Sequence, residues 1–294
     1  MNNSSSPIIF GEVLYDCFPE GDSVLGGAPF NVAWHCQAFG LQPLFISRVG
    51  DDSLGKNVIK AMRDWGMETD GLQIDPEHAT GRVNVSFQDN EPAYDIIENS
   101  AWDFINSQVL PELDKDSILY HGSLALRNSV SAQCLEEIKK ATSPSIFVDI
   151  NLRSPWWDIS NIYDFIRNSK WLKINEDELN SILPENENIK TKAQYLLKSL
   201  DLELIVVTQG ASGAFAMTDN DIFQVSPEDA VTIVDTVGAG DAFTSVLLLG
   251  LHNSWTINKT IDRAQQFASQ VVGLRGATTQ HKDFYKSFIN DWNL

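Results

Sequence analysis

Short apolar runs alternate with helical patterns along most of the chain, and this alternation restricts the fold more than any other feature. The run "LFISRVG" (residues 44–50) is typical of a buried strand, and the next segment carries an apolar stripe from Leu54 to Trp65, with Asp52 as a candidate N-cap. The same order recurs with the strand candidates "SILYHG", "SIFVDIN", "WLKIN" and "LELIVVTQG", separated by helical patterns such as "SAQCLEEIKKA" and "TKAQYLLKSL". Strand, helix and strand in series predict an α/β fold, a doubly wound and mostly parallel sheet with helices on both faces.

One segment, residues 81–97, departs from this order because its apolar residues alternate with polar ones. Val83, Val85 and Phe87 point one way, and Asp89-Asn90 is a turn candidate, which predicts a half-exposed antiparallel hairpin. Together with "IIFGEVLYDCF" near the start, the hairpin can form a small sheet over the strand ends, that is, a lid. An ordinary edge hairpin is the alternative. We therefore expect one chain-spanning unit, residues 1–294, with lid segments at about 11–30 and 80–100.

The charge balance limits the ligands and partners. The chain of 294 residues has 21 basic and 40 acidic side chains, a formal net charge of −19. A field of that sign opposes nucleic acid and anionic membrane surfaces, so neither is expected as a partner. A phosphate ligand would need local devices to overcome the repulsion, such as helix N-termini, oriented amides or Mg²⁺.

The location of the protein follows from two further features. No apolar run approaches the ~20 residues of a membrane span, and no positive region precedes the first apolar stretch, so we expect no signal peptide. Three scattered cysteines, Cys17, Cys36 and Cys134, fit a reducing compartment better than a disulfide framework. These features predict a cytoplasmic protein.

The stretch "VTIVDTVGAGDAFTSVLLLGL" (residues 231–251) places two glycines and a carboxylate at the mouth of an apolar helix. The helix N-terminus offers unpaired amides and a partial positive charge, and glycines let a ligand approach the backbone closely. Asp241 lies in the first turn, where a carboxylate can take the proton of an attacking hydroxyl. An anion cradle beside a base suits phosphoryl transfer to an alcohol, although Asp241 could instead only cap the helix.

Several motifs of the chain, taken together, resemble the PfkB family of ribokinase-like carbohydrate kinases. The stretch "VLGGAPFNVAWHCQAFG" (24–40) is similar to the family's glycine-glycine motif, and residues 48–67 are similar to the block that follows it. "NEDE" (175–178) fits the Asn-x-x-Glu element, and residues 231–251 resemble the C-terminal signature. "GEVLYDCFP" and "DINLRSPWW" resemble the fructokinase branch.

The resemblance implies a catalytic centre and a sugar site. Asp241 would be the catalytic base, beside an anion hole formed by the amides of Gly238, Ala239 and Gly240. The residues expected to bind the sugar are Asp16, Gly26, Gly27 and Asn31. A carboxylate and an amide suit vicinal hydroxyls, and glycines let the sugar lie against backbone. Asn31 would face the site from the first turn of a helix that Pro29 begins.

The resemblance also implies a site for Mg²⁺ and ATP. Asn175 and Glu178 would serve the magnesium–ATP complex mostly through water, because Mg²⁺ keeps several waters. The alternative for this acidic segment is a solvated helix start. The loop in "VVTQGASGAF" would contact the nucleotide, or it is a plain hairpin turn. The remaining residues assigned to ATP are Thr208, Gly210, Gly213 and Gln265.

Arg153 follows the strand candidate "SIFVDI" at its carboxyl end, where ligands of such sheets bind. Its guanidinium could hold the transferring phosphate or an acidic group of the substrate, or it could form an ion pair with a nearby carboxylate. Tyr94 and the segment "HGSLALR" (121–127) are further candidates for the border of the sugar site.

A monovalent cation beside the anion hole is common in the family, so K⁺ is an expected additional cofactor. The matching positions in this chain are Asp235, Val237, Val271, Leu274 and Gly276.

The expected function is ATP-dependent phosphorylation of a primary hydroxyl of a sugar, with fructose as the first choice. The alternatives are 2-keto-3-deoxygluconate, whose carboxylate would need a cation such as Arg153, and ribose or a nucleoside. A sugar-binding regulator without catalysis is the alternative from another class, but the chain keeps Asp241 and both glycines. The expected partners are the sugar and ATP, with a homodimer through the lid.

Overall fold

The computed structural model describes residues 5–88, 91–184, 186–227 and 232–294. In chain order, the strands are β1 (Ile8–Phe10), β2 (Leu14–Cys17), β3 (Ser23–Gly26), β4 (Leu44–Gly50), β5 (Leu72–Asp75), β6 (Gly81–Gln88), β7 (Glu91–Ile96), β8 (Ile118–His121), β9 (Ser145–Asp149), β10 (Trp171–Asn175), β11 (Leu204–Thr208), β12 (Ala214–Met217) and β13 (Ile222–Val225). The α-helices are α1 (Ala28–Ala38), α2 (Ser53–Trp65), α3 (Ser129–Thr142), α4 (Ile159–Ile166), α5 (Glu176–Ile182), α6 (Ile189–Ser199), α7 (Ala239–His252), α8 (Ile257–Val271) and α9 (Lys282–Trp292). Short 3₁₀ turns lie at Ala101–Phe104, Ser107–Val109, Leu124–Arg127 and Gly210–Ser212.

The described strands form a nine-stranded sheet in the order β13-β12-β11-β10-β9-β8-β1-β4-β5. Within this sheet, the neighbouring strands β5, β4, β1, β8, β9, β10 and β11 all pair in parallel. Of the described strands of the sheet, only β12 and β13 pair antiparallel, β12 with β11 and β13 with β12. The chain runs from β1 to β4 on one side and returns to β8 on the other, so the strand order reverses at β1. The predicted doubly wound, mostly parallel sheet is confirmed.

Alternate residues of each central strand face opposite layers of helices, and this places the core on both sides of the sheet. On β1, Ile9 belongs to the large cluster that includes residues of α1, α2, α7, α8 and α9. Its neighbours Ile8 and Phe10 belong to the cluster that includes residues of α3. Strands β9 to β11 face a third cluster, with α4, α5 and α6. This burial on two faces explains why these strands are continuous apolar runs.

Local signals fix the helix ends as the sequence predicts. Asp52 is the N-cap of α2, where its side chain accepts a 2.8 Å hydrogen bond from the backbone amide of Gly55. The same helix ends at Gly66, whose φ of +83° is the left-handed conformation that ends many helices. Helix α7 is buried from Ala242 to Gly250, in agreement with its apolar sequence.

A second sheet of four strands has the order β3-β2-β6-β7, and its strands fall within the expected lid segments. Strand β2 pairs parallel with β6 and antiparallel with β3, while β6 and β7 form the predicted hairpin. The predicted turn at Asp89-Asn90 lies outside the described residues. Only part of "IIFGEVLYDCF" joins this sheet, because Ile8–Phe10 is the central β1 strand of the large one. None of the helices described is long and apolar enough to cross a membrane.

Candidate active site

The carboxyl ends of the parallel strands meet at one edge of the large sheet, next to the point where the strand order reverses. Glu12 follows β1, Asp149 ends β9 and Asn175 ends β10. In open α/β sheets, ligands bind in the crevice outside this edge. The small sheet is joined to the same edge, because only residues 11–13 separate β1 from β2.

The turn before α7 has the backbone geometry of an anion cradle. Gly238 has a φ of +80°, and a Cβ at this position would lie 2.4 Å from the Cα of Ala277. No residue with a side chain fits there, so the turn requires glycine. Helix α7 begins at Ala239, and its first amides have no acceptor within the helix. The amide of Ala239 donates a 3.3 Å hydrogen bond to the carbonyl of Thr236.

Asp241 lies in the first turn of α7, at the floor of the crevice. Its Oδ2 accepts a 2.8 Å hydrogen bond from Nδ2 of Asn31, in the first turn of α1. Burial raises the pKa of Asp241 to about 6, and the Asn31 hydrogen bond works in the opposite direction. The carboxyl is therefore still ionised at neutral pH and can accept a proton. Oδ1 of Asn31 is buried without a partner among the described residues, so it remains available to a ligand.

The sugar-site candidates of the lid lie near one another. Asp16 is on β2, and the point where Gly26 would carry a Cβ is 3.5 Å from its Oδ2. Gly27 adopts a φ of +109°, and a Cβ there would lie 2.7 Å from the carbonyl oxygen of Glu12. Burial raises the pKa of Asp16 to about 6. The structure thus joins Asp16 and both glycines to the start of α1, which carries Asn31.

Tyr94 shares a face of the lid with Asp16 but stands further out. Asp16 of β2 pairs with Val83 of β6, and Tyr94 of β7 pairs with Val85 of β6. Val83 and Val85 lie on the same face of β6, so their two partners share that face of the lid. The Tyr94 side chain is 56% exposed. Val83 and Val85 themselves are buried within the single chain, at 5% and 4% exposure.

Arg153 is exposed beyond the end of β9, where its Nη1 donates a 3.1 Å hydrogen bond to the carbonyl of Leu152. Among the described residues it forms no ion pair, contrary to the alternative interpretation of this residue. Its positive charge acts to lower the pKa of both Glu12 and Asp241, against the larger effect of burial.

Asn175 and Glu178 form a reciprocal cap at the start of α5. Oδ1 of Asn175 accepts from the amide of Glu178 at 2.8 Å, and Oε2 of Glu178 accepts from the amide of Asn175 at 2.9 Å. Oε1 of Glu178 also accepts from the amide of Leu152 at 2.8 Å, which holds the loop that carries Arg153. Glu178 is 7% exposed, so this is not a solvated helix start.

The donor set fits Mg²⁺ held through ATP phosphates and water. Within the described residues, no group of three or more His, Cys, Asp or Glu side chains could form a metal cage. Carboxylate and amide oxygens at Asn175 and Glu178 suit an ion that keeps most of its water shell.

The nucleotide-site candidates lie on the β11–β12 hairpin and on α8. Thr208 ends β11, and the 3₁₀ turn Gly210–Ser212 leads to Gly213, at the start of β12. Nε2 of Gln209 donates a 3.0 Å hydrogen bond to Glu176, which ties this turn to the start of α5. Gln265 is 8% exposed and donates to Ser269 within α8.

The candidate cation positions lie in the loop before α7 and at the end of α8 with the loop that follows it, and Asp235 joins these two segments. Its Oδ1 accepts from the amide of Val237 at 3.0 Å, and its Oδ2 accepts from the amide of Gly276 at 3.1 Å. The carbonyl of Val271 accepts a 2.9 Å hydrogen bond from the amide of Leu274. Asp235, Val237 and Gly276 are therefore brought together, beside the Gly238 turn.

Comparison with known proteins shows the family of this chain. The family model described as "pfkB family carbohydrate kinase" matches residues 18–283. The chain belongs to the pfkB family. Among curated relatives, a fructokinase of Vibrio alginolyticus is 30% identical over 288 residues, covering 92% of each chain. An aminoimidazole riboside kinase of Salmonella typhimurium is 28% identical and covers 97% of this chain and 95% of the relative.

Solved structures of the pfkB family show the same fold with ligands bound. A double mutant of Vibrio cholerae O395 fructokinase, with fructose, ADP and potassium, has a TM-score of 0.84 at 26% identity and covers 97% of this chain and 99% of its own. Salmonella enterica aminoimidazole riboside kinase, with its riboside and an ATP analogue, has a TM-score of 0.83 at 25% identity and covers 97% and 100%. The predicted class, an ATP-dependent carbohydrate kinase, is confirmed.

Sequence reasoning missed four residues of this pfkB site. Lys173 is a charge inside the apolar strand "WLKIN", and its side chain is 7% exposed and lies 2.7 Å from Asp149. Thr244 lies one turn after Asp241, and its hydroxyl lies within hydrogen-bond distance of the Asp149 carboxylate. Glu12 is 3% exposed, its Oε2 has no partner within the described residues, and burial raises its pKa to about 7. For Lys173, Asp149 and Glu12, the available signal was a charged residue within or shortly after an apolar strand, whereas Thr244 carried no such signal.

Proposed function

We propose that this protein transfers the γ-phosphate of ATP to a primary hydroxyl of fructose. The observation that carries the proposal is the 2.8 Å contact between Asn31 and Asp241, which joins the predicted sugar-binding helix to the predicted base. The similarity to fructokinases of several organisms supports fructose as the substrate.

The sugar lies between the lid and the edge of the large sheet. Asp16 accepts hydrogen bonds from sugar hydroxyls, and the unpartnered Oδ1 of Asn31 accepts another. Gly26 and Gly27 let the ring lie against the backbone, with Tyr94 at the outer border. A closed lid excludes water, which would otherwise compete as the nucleophile.

Asp241 accepts the proton of the primary hydroxyl as the hydroxyl oxygen forms its bond to the γ-phosphorus. The bond from that phosphorus to the bridging oxygen breaks, and ADP leaves with the electron pair. The amides of Gly238, Ala239 and Gly240 stabilise the charge on the transferring group, the Ala239 amide after it gives up its 3.3 Å hydrogen bond to Thr236, and Arg153 adds a positive charge. The pKa of about 6 leaves Asp241 ionised at neutral pH.

Two ions complete this proposal. Mg²⁺ neutralises phosphate charge when bound, and Asn175 and Glu178 would hold its water shell; Thr208, Gly210, Gly213 and Gln265 border the nucleotide. K⁺ would bind beside the anion hole at Asp235 and the carbonyls of Val237, Val271, Leu274 and Gly276. Potassium in the Vibrio cholerae fructokinase structure supports this assignment. Equal rates in potassium and sodium chloride would contradict it.

A second candidate substrate class has support of its own. Aminoimidazole riboside kinases match this chain over nearly its full length, which favours a riboside. Arg153, which has no carboxylate partner within the described residues, would also suit 2-keto-3-deoxygluconate.

A coupled assay of ADP release with a panel of acceptors tests these choices. The panel contains fructose, ribose, adenosine, aminoimidazole riboside and 2-keto-3-deoxygluconate, and we expect the highest kcat/KM for fructose. Asp241→Asn provides the matched blank. A tenfold preference for another acceptor would overturn the fructose assignment but not the kinase. No turnover of any acceptor would favour the sugar-binding regulator.

Assembly and location form the last part of the proposal. A homodimer through the lid would cover exposed apolar residues there, such as Val24 and Ile97, at 41% and 37% exposure. Light scattering of the protein and of Ile97→Ser tests it, with Val109→Ser as a control outside the lid. The three unpaired cysteines fit a cytoplasmic location.

A further inference from the structure

A buried ion pair lies directly behind the anion cradle. Nζ of Lys173 is 2.7 Å from Oδ2 of Asp149, and the two side chains are only 7% and 5% exposed. The ammonium also lies beneath the cradle, since the point where Gly240 would carry a Cβ is 3.8 Å from Nζ. Burying two charges is costly, so the pair calls for a physical explanation.

Thr244 connects this ion pair to the cradle. Its hydroxyl lies 2.7 Å from Oδ2 of Asp149 and 2.9 Å from the carbonyl oxygen of Gly240, one turn earlier in α7. Asp149 and Lys173 stand on the adjacent strands β9 and β10, which are fixed in the sheet. A hydroxyl carries one proton, so Thr244 donates to one of these two oxygens at a time. Donation to Asp149 ties α7 to the sheet edge one turn after the cradle, directly beside the Gly240 carbonyl.

The same two charges act on the catalytic base in opposite directions. The charge of Asp149 raises the pKa of Asp241, and the charge of Lys173 lowers it. The two charges are 2.7 Å apart, so each offsets part of the other's effect on Asp241. The other polar or charged groups that face Asp241 are Asn31, Arg153, Glu12 and Tyr120.

We infer that Asp149 and Lys173 are positioning residues for phosphoryl transfer, which hold the cradle through Thr244 and set the field at Asp241. The inference deepens the proposed function and rests on it, because it takes Asp241 as the base. Asp149 keeps the first turn of α7 in place, and Lys173 offsets the negative charge that this tether brings near the base.

Asp149→Asn tests the electrostatic part. The variant keeps an oxygen for Thr244 but leaves the Lys173 charge unopposed. We expect the acid limb of the pH profile of kcat/KM to move to lower pH, by about half a unit or more. The double variant Asp149→Asn/Lys173→Met removes both charges and should return the limb to its original position. A purely structural loss would lower the rate without this reversal.

Thr244→Val tests the tether while both charges stay in place. We expect kcat to fall about tenfold or more with the acid limb unmoved and the KM for sugar unchanged, since misplacement of the cradle affects the transition state. Thr244→Ser keeps the hydroxyl and should recover most of the rate. This pair also covers the case in which the buried-charge variants do not fold.

The outcomes separate this inference from the proposed function. A limb that stays in place or moves to higher pH in folded Asp149→Asn, or equal rates for Thr244→Val and Thr244→Ser, would overturn the inference alone. Full activity of Asp241→Asn would instead remove the base on which both depend.

Discussion

The side-chain amide of Asn31 donates a 2.8 Å hydrogen bond to Oδ2 of Asp241, across 210 positions of sequence. Asn31 lies in the first turn of α1 beside the lid, and Asp241 lies in the first turn of α7 beside the proposed phosphate cradle. In the proposed mechanism, this one contact joins the group that holds the sugar to the group that activates it. The amide can donate to the base and accept from the sugar at once.

We predict that Asp241→Asn lowers kcat by about 10²–10⁴-fold, because an amide of the same shape cannot accept a proton. ATP binding should change little, since the cradle consists of backbone amides. Single-turnover kinetics and ATP titration separate the two effects. Asp70→Asn, at an exposed site, is the control. A variant that kept most of its kcat would show that Asp241 is not the base.

The pH dependence of kcat/KM should report the pKa of Asp241. Activity is expected to fall about tenfold per unit below pH 6, because the base is then protonated. Asn31→Ala removes a hydrogen bond that favours the carboxylate, so the acid limb should move to higher pH. The measured quantity is kcat/KM for ATP as a function of pH, at a saturating concentration of sugar. Movement to lower pH in Asn31→Ala would contradict the assigned hydrogen bond.

Asp16→Ala should weaken sugar binding and leave ATP binding intact, because it removes hydroxyl contacts on the lid only. We expect the KM for sugar to rise by about tenfold or more, in line with the loss of hydrogen bonds to a charged group. Thermal-shift titrations with each ligand measure this directly, and Asp22→Ala, exposed at the lid turn, is the control. A lost ATP response with an unchanged sugar response would refute the assignment.

Glu12 should make the ligand-free protein less stable as the pH rises. Burial raises its pKa from 4.5 to about 7, so the folded chain binds this proton more tightly than the unfolded chain does. Its contribution is fully present below pH 4.5 and is lost as the pH passes 7, at a cost of about 3 kcal/mol at most. Asp16 and Asp241, whose pKa values are also raised, act in the same direction.

Glu12→Gln tests this prediction. We expect the free energy of unfolding of the variant, from urea titrations at pH 5 and pH 8, to change less between the two values than that of the original protein. Glu112→Gln, at an exposed position, should leave the difference as it was. If Glu12→Gln lost as much unfolding free energy between pH 5 and pH 8 as the original protein, other groups would be the cause of the loss.

The fold was predictable because its determinants are local. Strand β4 and the cap of α2 follow from an apolar run and from Asp52, and both are found as predicted. The assignment of Ile8–Phe10 to the large sheet was not predictable, because an apolar triplet pairs equally well in either sheet. Its place depends on contacts with β4 and β8, which are distant in sequence.

The site was predictable where a motif carries it and not where long-range contacts create it. Gly238 and Asp241 stand in a recognisable turn. Lys173 and Asp149 meet only because β9 and β10 are neighbours, and neither residue alone distinguishes a buried pair from two exposed charges. Glu12 similarly follows a strand, and the chain returns to its backbone carbonyl at Gly27, a contact between positions distant in the local pattern.

The short connection from β1 to β2 gives the enzyme a weakness that an inhibitor could use. Residues 11–13 join the rigid sheet to the lid, and the backbone of Glu12 touches the start of α1 at Gly27. A compound that binds between the lid and the large sheet would therefore strain this junction and move Asn31 away from Asp241. We expect such a compound to stop proton transfer without competing with ATP.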